Sequence, residues 1–192
     1  SSAASDVYKR QTYYSPFGQI DQTYARRWGH YTYRNLPKIY DAHIITAEYL
    51  IDNIDRAFDN WQKRPWNRSL SFEDFCEYLL PYRIGDEPLE EWRELYEKKY
   101  GYLLDSIYKG SDVVEAANLV SRHLQEPVFI YCEDFELPHI GPRYLFSHRY
   151  GSCVDAADIV TYAFRAVGIP CMEDTDARGG HVWNVVRDTT GR

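Results

Sequence analysis

Two residues in this chain could act together as a nucleophile and its base. Cys153 follows Gly151-Ser152 and opens the run C-V-D-A-A-D-I-V-T-Y-A-F-R-A-V. His181 follows Gly179-Gly180 and opens V-W-N-V-V. The apolar spacing predicts a helix from Cys153 to Val167, capped by Ser152 and terminated by Gly168 and Pro170. The first amides of a helix have no intrahelical acceptor and carry the positive end of its dipole. A thiolate is favoured there, so its pKa falls below the free value of ~8.5. The same amides can hold the oxyanion that forms when sulfur attacks a carbonyl. An imidazole beside that sulfur completes the activated pair used for acyl transfer.

The elements around the pair set further expectations. Ala156, Ala157, Val160, Phe164 and Val167 follow Cys153 at helical spacing and form the expected buried face. Asp155, Asp158, Tyr162 and Arg165 fall on the other side. Residues 181–186 read as a strand on which His181 and Trp183 share a face. Trp183 is expected to shield the pair from water or to pack on the helix. Asn184 has the opposite phase and a structural role. Asp155 suits the stabilisation of a first helical turn. Asp188, in D-T-T-G, reads as a turn residue. Asp174 and Asp176 flank Thr175 in an expected mobile acidic loop; two carboxylates are too few for calcium, and no metal or cofactor is implied.

In their order and spacing, G-S-C-V-D-A-A-D, F-R-A-V-G-I-P-C and G-H-V-W-N-V-V together resemble the transglutaminase-like superfamily over about residues 145–190. Upstream, SFEDFCEYLLPYR and EEWRELYEKKY look like the helical region that precedes such domains in a group of bacterial proteins, many of them exported. The resemblance implies an α+β fold with a papain-like core, in which the helix bearing the cysteine packs on an antiparallel sheet. It implies Cys153 as nucleophile and His181 as general base and acid; from their own positions, Ser152 as cap and Trp183 as shield are the supporting residues. It further implies amide hydrolysis or acyl transfer on a peptide or protein substrate, with or without a glycan, through a thioester. A third residue, usually Asp, orients the histidine in that superfamily. It is expected beyond Arg192, which makes the core incomplete at its C-terminal end. The alternative is an inactive transglutaminase-like module that binds peptide or glycan. A helical interaction domain with only structural cysteines ranks third.

The whole chain bounds these readings. Its 192 residues are 44% hydrophobic and 27% charged, enough for a buried core. A net charge of -7 argues against nucleic acid or an anionic membrane surface as partner. No apolar run approaches the ~20 residues of a membrane span. Cys76, Cys132, Cys153 and Cys171 form no C-x-x-C pair, so no zinc knuckle is expected; Cys76 and Cys171 read as buried free thiols. The 18 Tyr, 5 Trp and 8 Phe read mainly as core filling.

Residues 1–18 are expected to be a disordered tail, 19–126 a helical N-terminal region and 127–192 the core segment. Within the helical region, Ile44, Ala47, Ile51, Ile54, Phe58 and Trp61 form one stripe, with Thr46 as cap and Pro65 as stop. Further helices are expected after Ser71, from near Pro88 to Gly101, and from Ser111 or Asp112 to before Pro127. Residues 128–131 read as extended, and 136–150 as a loop.

Overall fold

The computed structural model describes residues 14–15, 18–19, 39–131, 139–178 and 180–189. The fold is α+β: helices with short two-stranded ladders. Strands β1 (Tyr14–Ser15) and β2 (Gly18–Gln19) pair antiparallel. Part of the expected 1–18 tail is therefore paired backbone, and the rest of it lies outside the described residues.

Helix α1 (Ala47–Lys63) starts where Thr46 Oγ1 accepts from the Tyr49 amide and ends before Pro65, as the sequence predicts. Its packing differs from expectation. Ile44, Ile51, Ile54 and Phe58 are exposed, and Asn53, Ala57 and Asn60 are the buried residues. The cause is a polar seam. Asn53 Nδ2 donates to Leu80 O and Asn53 Oδ1 accepts from Arg93, while Asn60 donates to Glu97. A buried guanidinium needs acceptors more than an apolar face needs cover. Trp61 at the end of the stripe still stacks on Phe75 at 4.6 Å.

Helix α2 (Phe72–Tyr78) is capped by Ser71 as predicted. Helix α3 (Arg93–Tyr102) begins five residues later than Pro88 and runs through Gly101 into a π-turn, Leu103–Ile107. Trp92 sets the late start, because its indole N–H donates to Tyr82 O and the ring packs at 5.0 Å from Tyr162. Helix α4 (Val113–Leu124) matches its prediction, with Asp112 accepting from the amides of Val114 and Glu115.

Strand β3 (Ile130–Tyr131) pairs in parallel with β4 (Tyr150–Gly151). Between them, helix α5 (Pro142–His148) occupies part of the expected loop, with Pro142 at its first turn. Helix α6 (Cys153–Ala166) follows directly. Strands β5 (Cys171–Thr175) and β6 (Val182–Val186) then form an antiparallel hairpin against it.

Helix α6 is the centre of the molecule, and burial along it is nearly all round. Asp155, Asp158, Tyr162 and Arg165, expected on the outer side, are buried, whereas Cys153, Ala156 and Val160 are half-buried. One apolar core joins Trp66, Trp92, Tyr96 and Val120 to Leu145, Tyr162, Phe164 and Cys171, so it runs across the 126/127 boundary. Tyr96, Tyr100 and Tyr162 are among its largest fully buried side chains, which accords with the core-filling reading of the tyrosines. Among the described residues, no helix is long and apolar enough to cross a membrane.

Candidate functional site

Cys153 is the first residue of α6 and is half-buried. The turn ahead of it is fixed by Asp155. That carboxylate accepts from the Ser152 amide at 2.7 Å, from the Ser152 hydroxyl at 3.0 Å and from the Ile140 amide at 3.3 Å. Asp155 is thus the first-turn stabiliser that its position suggested, and Ser152 sits at the cap. Gly151 has φ +152, and a Cβ there would collide with the Asp155 carboxylate. The helical pattern leaves the Cys153 and Val154 amides without an intrahelical acceptor.

The hairpin returns the chain along α6. Thr161 Oγ1 donates to Glu173, and Arg165 Nε donates to Cys171 O, so β5 runs from the C-terminal toward the N-terminal end of α6. β6 runs the other way. Asn184 Nδ2 donates to Ala157 O and Thr161 Oγ1, and the Arg187 amide donates to Pro170 O, beyond the helix end. His181 lies three residues before Asn184, about 10 Å along an extended chain. Ala157 lies four residues after Cys153, about 6 Å along a helix. His181 therefore comes level with the Cys153 end of α6.

The side chains are placed less closely than the backbones. Asn184 faces α6, so strand alternation turns Trp183 and Val185 outward, and both are exposed. Asn184 is structural, as expected. Trp183 does not pack on the helix; its ring lies 6.2 Å from that of His181. β6 begins at Val182, one residue later than expected, which leaves His181 outside the ladder and exposed. Among the described residues, no hydrogen bond joins His181 to Cys153. The expected acidic loop is also different. Asp174 and Thr175 belong to β5, paired with Trp183 and Val182, and only Asp176 is at the turn, where it accepts from the Gly180 amide.

A second cluster of ionisable groups lies further along α6, and sequence reasoning passed over it. His139 Nδ1 is 2.9 Å from Asp158, which is fully buried, and Glu173 adjoins Asp158 from β5. The Asp158 hydrogen bond lifts His139 to about 9 against the opposing effect of burial. Burial first, and then the Asp158 charge, lift Glu173 to about 8. Burial also raises Asp158, countered by its bond to His139. Both carboxyls and the imidazole thus hold their protons more tightly than in water. The apolar spacing sets Asp158 on the outer helix face, and its burial is a long-range effect that this spacing does not carry. Cys171, also buried here, has its thiol pushed up to about 12 by desolvation and is inert.

The opposite end of α6 is closed by donors. Arg64 Nε donates to Val167 O at 2.7 Å, and the Trp66 indole and Asn67 amide both donate to Gly168 O at 2.9 Å. Gly168 has φ +81, and a Cβ there would collide with the Asn60 carbonyl. Among the described residues, no group of three or more His, Cys, Asp or Glu is arranged to hold a metal ion. Comparisons with protein-family models, curated proteins and solved structures gave no match.

Proposed function

We propose that this chain carries a transglutaminase-like, papain-type core that hydrolyses or transfers an amide acyl group through a Cys153 thioester. The observation that carries this reading is the register of the hairpin, which returns His181 to the helix end that begins with Cys153. The Cys153 thiolate attacks an amide carbonyl of a peptide or protein. The first-turn amides hold the oxyanion. His181 gives its proton to the leaving amine as the C–N bond breaks, leaving a thioester. His181 then takes a proton from water, which attacks the thioester and releases the acid and the thiolate. The exposure of His181 and Trp183 favours water over a held amine as acceptor.

The test is an acid quench of the chain with peptide amides, followed by mass spectrometry of the Cys153 peptide. An acyl adduct on Cys153, and amine release abolished by Cys153→Ala, is the expected result. Amine release undiminished in Cys153→Ala overturns it. The outward-facing Trp183 and Val185 favour a second reading, a module that binds peptide or glycan along that strand face without turnover. Binding lost in Trp183→Ala, with no amine release from the parent chain, selects that reading.

A further inference from the structure

Helix α6 turns another flank toward α4, and with residues 128 and 129 the two border a half-open cavity of about 390 Å³. Its walls are mostly apolar, with Leu124, Val128, Phe129, Ala156 and Val160 among them, and Arg149 also lines it. This volume falls within the ~300–1,000 Å³ range of small-molecule sites.

Arg149 is what marks the cavity. It is only 2% exposed. Its guanidinium donates to Leu124 O at 2.7 Å and to the Tyr100 hydroxyl, both neutral acceptors, and its Nε is buried with no hydrogen-bond partner. Among the described residues, no carboxylate pairs with it. The C-terminal end of α4 offsets about half an elementary charge. The remainder is costly in an apolar site. Nearby charge worsens the balance. Lys99 has its ammonium disfavoured by burial and then by Arg149 itself. Arg149 also has φ 46 and ψ 54, a left-handed conformation that costs a non-glycine residue free energy. Arg149 is thus a buried cation that no described carboxylate pairs, in a left-handed backbone, on the wall of a mostly apolar cavity.

We propose that this cavity binds an organic carboxylate with an apolar body, its carboxylate directed at Arg149 and its hydrocarbon against Ala156, Val160 and Phe129. The ligand supplies the anion that no described residue supplies there. This site does not depend on Cys153 acting as a nucleophile, although Ala156 lies one helical turn from it.

The test is calorimetric titration of the chain with octanoate and, separately, with octanamide. The two probes match in length and differ in charge. Octanoate is expected to bind and octanamide to bind roughly tenfold more weakly, because a charge-assisted hydrogen bond is worth about 1.5 kcal/mol or more. Arg149 also anchors the end of α4, so variants that fill the cavity are the cleaner control. Val160→Phe, from the α6 wall, and Ser121→Phe, from the α4 wall, are each expected to weaken octanoate binding by roughly tenfold or more while the chain still melts cooperatively. If one variant fails to fold, the other decides. No octanoate binding, equal affinity for the two probes, or undiminished binding in a folded filled variant overturns the proposal.

Discussion

The two ends of helix α6 are built in opposite ways. At the C-terminal end, Arg64, Trp66 and Asn67 reach from the helical N-terminal region and occupy the carbonyls of Val167 and Gly168. These donors are buried and spaced about a hundred residues away in sequence. At the N-terminal end, a glycine turn and one carboxylate hold the cap, and Cys153 stands half-buried beside two amides that the helix leaves unpaired. The difference separates a clamped end from an open one along a single element. A helix whose last carbonyls are engaged is anchored in place. Under the proposed function, its first amides remain available to a substrate without the helix fraying. The helical region thus has an assignable role: it anchors the far end of the helix that bears the cysteine.

The sharpest way to break this contrast is at the anchored end. Arg64→Ala removes the donor to Val167 O and one of two ion pairs to Asp105, leaving a buried carbonyl without its donor and Asp105 paired with Lys63 alone. A loss on the order of 3 kcal/mol is expected in urea unfolding. A loss below about 1 kcal/mol would mean that the C-terminal clamp contributes little.

A smaller effect is expected at the open end. Gly151→Ala forces a left-handed residue and pushes against Asp155, with a loss of about 1–3 kcal/mol and a changed alkylation rate at Cys153. If stability falls but Cys153 alkylation is unmoved, the cap does not position the sulfur.

The cluster between the two ends gives a pH dependence. His139 and Glu173 both hold protons more tightly in the folded chain, at about 9 against 6.5 and about 8 against 4.5. The folded state therefore binds more protons than the unfolded state. These two groups make stability fall as pH rises, Glu173 between pH 4.5 and 8 and His139 between pH 6.5 and 9. Urea midpoints from pH 5 to 9 are expected to decline, with the earlier part of the decline flattened in Glu173→Gln. A midpoint that rises over that range contradicts the assignment.

The smallest stability change is expected at the histidine of the proposed pair. His181→Ala is expected to shift stability by less than about 0.5 kcal/mol, because His181 is exposed and outside the ladder. A loss of several kcal/mol would give His181 a structural role instead.

Much of this was legible in the sequence wherever a local rule decides. Thr46, Ser71, Asp112 and Ser152 stand at helix starts because short polar side chains satisfy the first amides. The Cys153 helix and the β6 strand were both visible from periodicity alone. What failed was burial decided at long range. The Ile51, Ile54 and Phe58 stripe is the most regular apolar pattern in the chain, yet α1 buries Asn53 and Asn60 because Arg93 and Glu97 meet them there. Asp158 and Arg165 look like surface positions until His139 and the Cys171 carbonyl are placed against them. β5 was hidden because C-M-E-D-T has no apolar alternation; its register comes from β6 and from the groups it meets on α6.

The central claim is that the open end of α6 carries an activated thiol supported by His181. The most direct measurement is the iodoacetamide alkylation rate of Cys153 against pH, read by peptide mapping, in the parent chain and in His181→Ala. The account predicts alkylation of Cys153 near neutral pH much faster than that of a free thiol in the parent chain, and slower without the histidine. A rate equal to that of a free thiol, unchanged by the substitution, would contradict it and leave α6 an anchored helix with no working nucleophile.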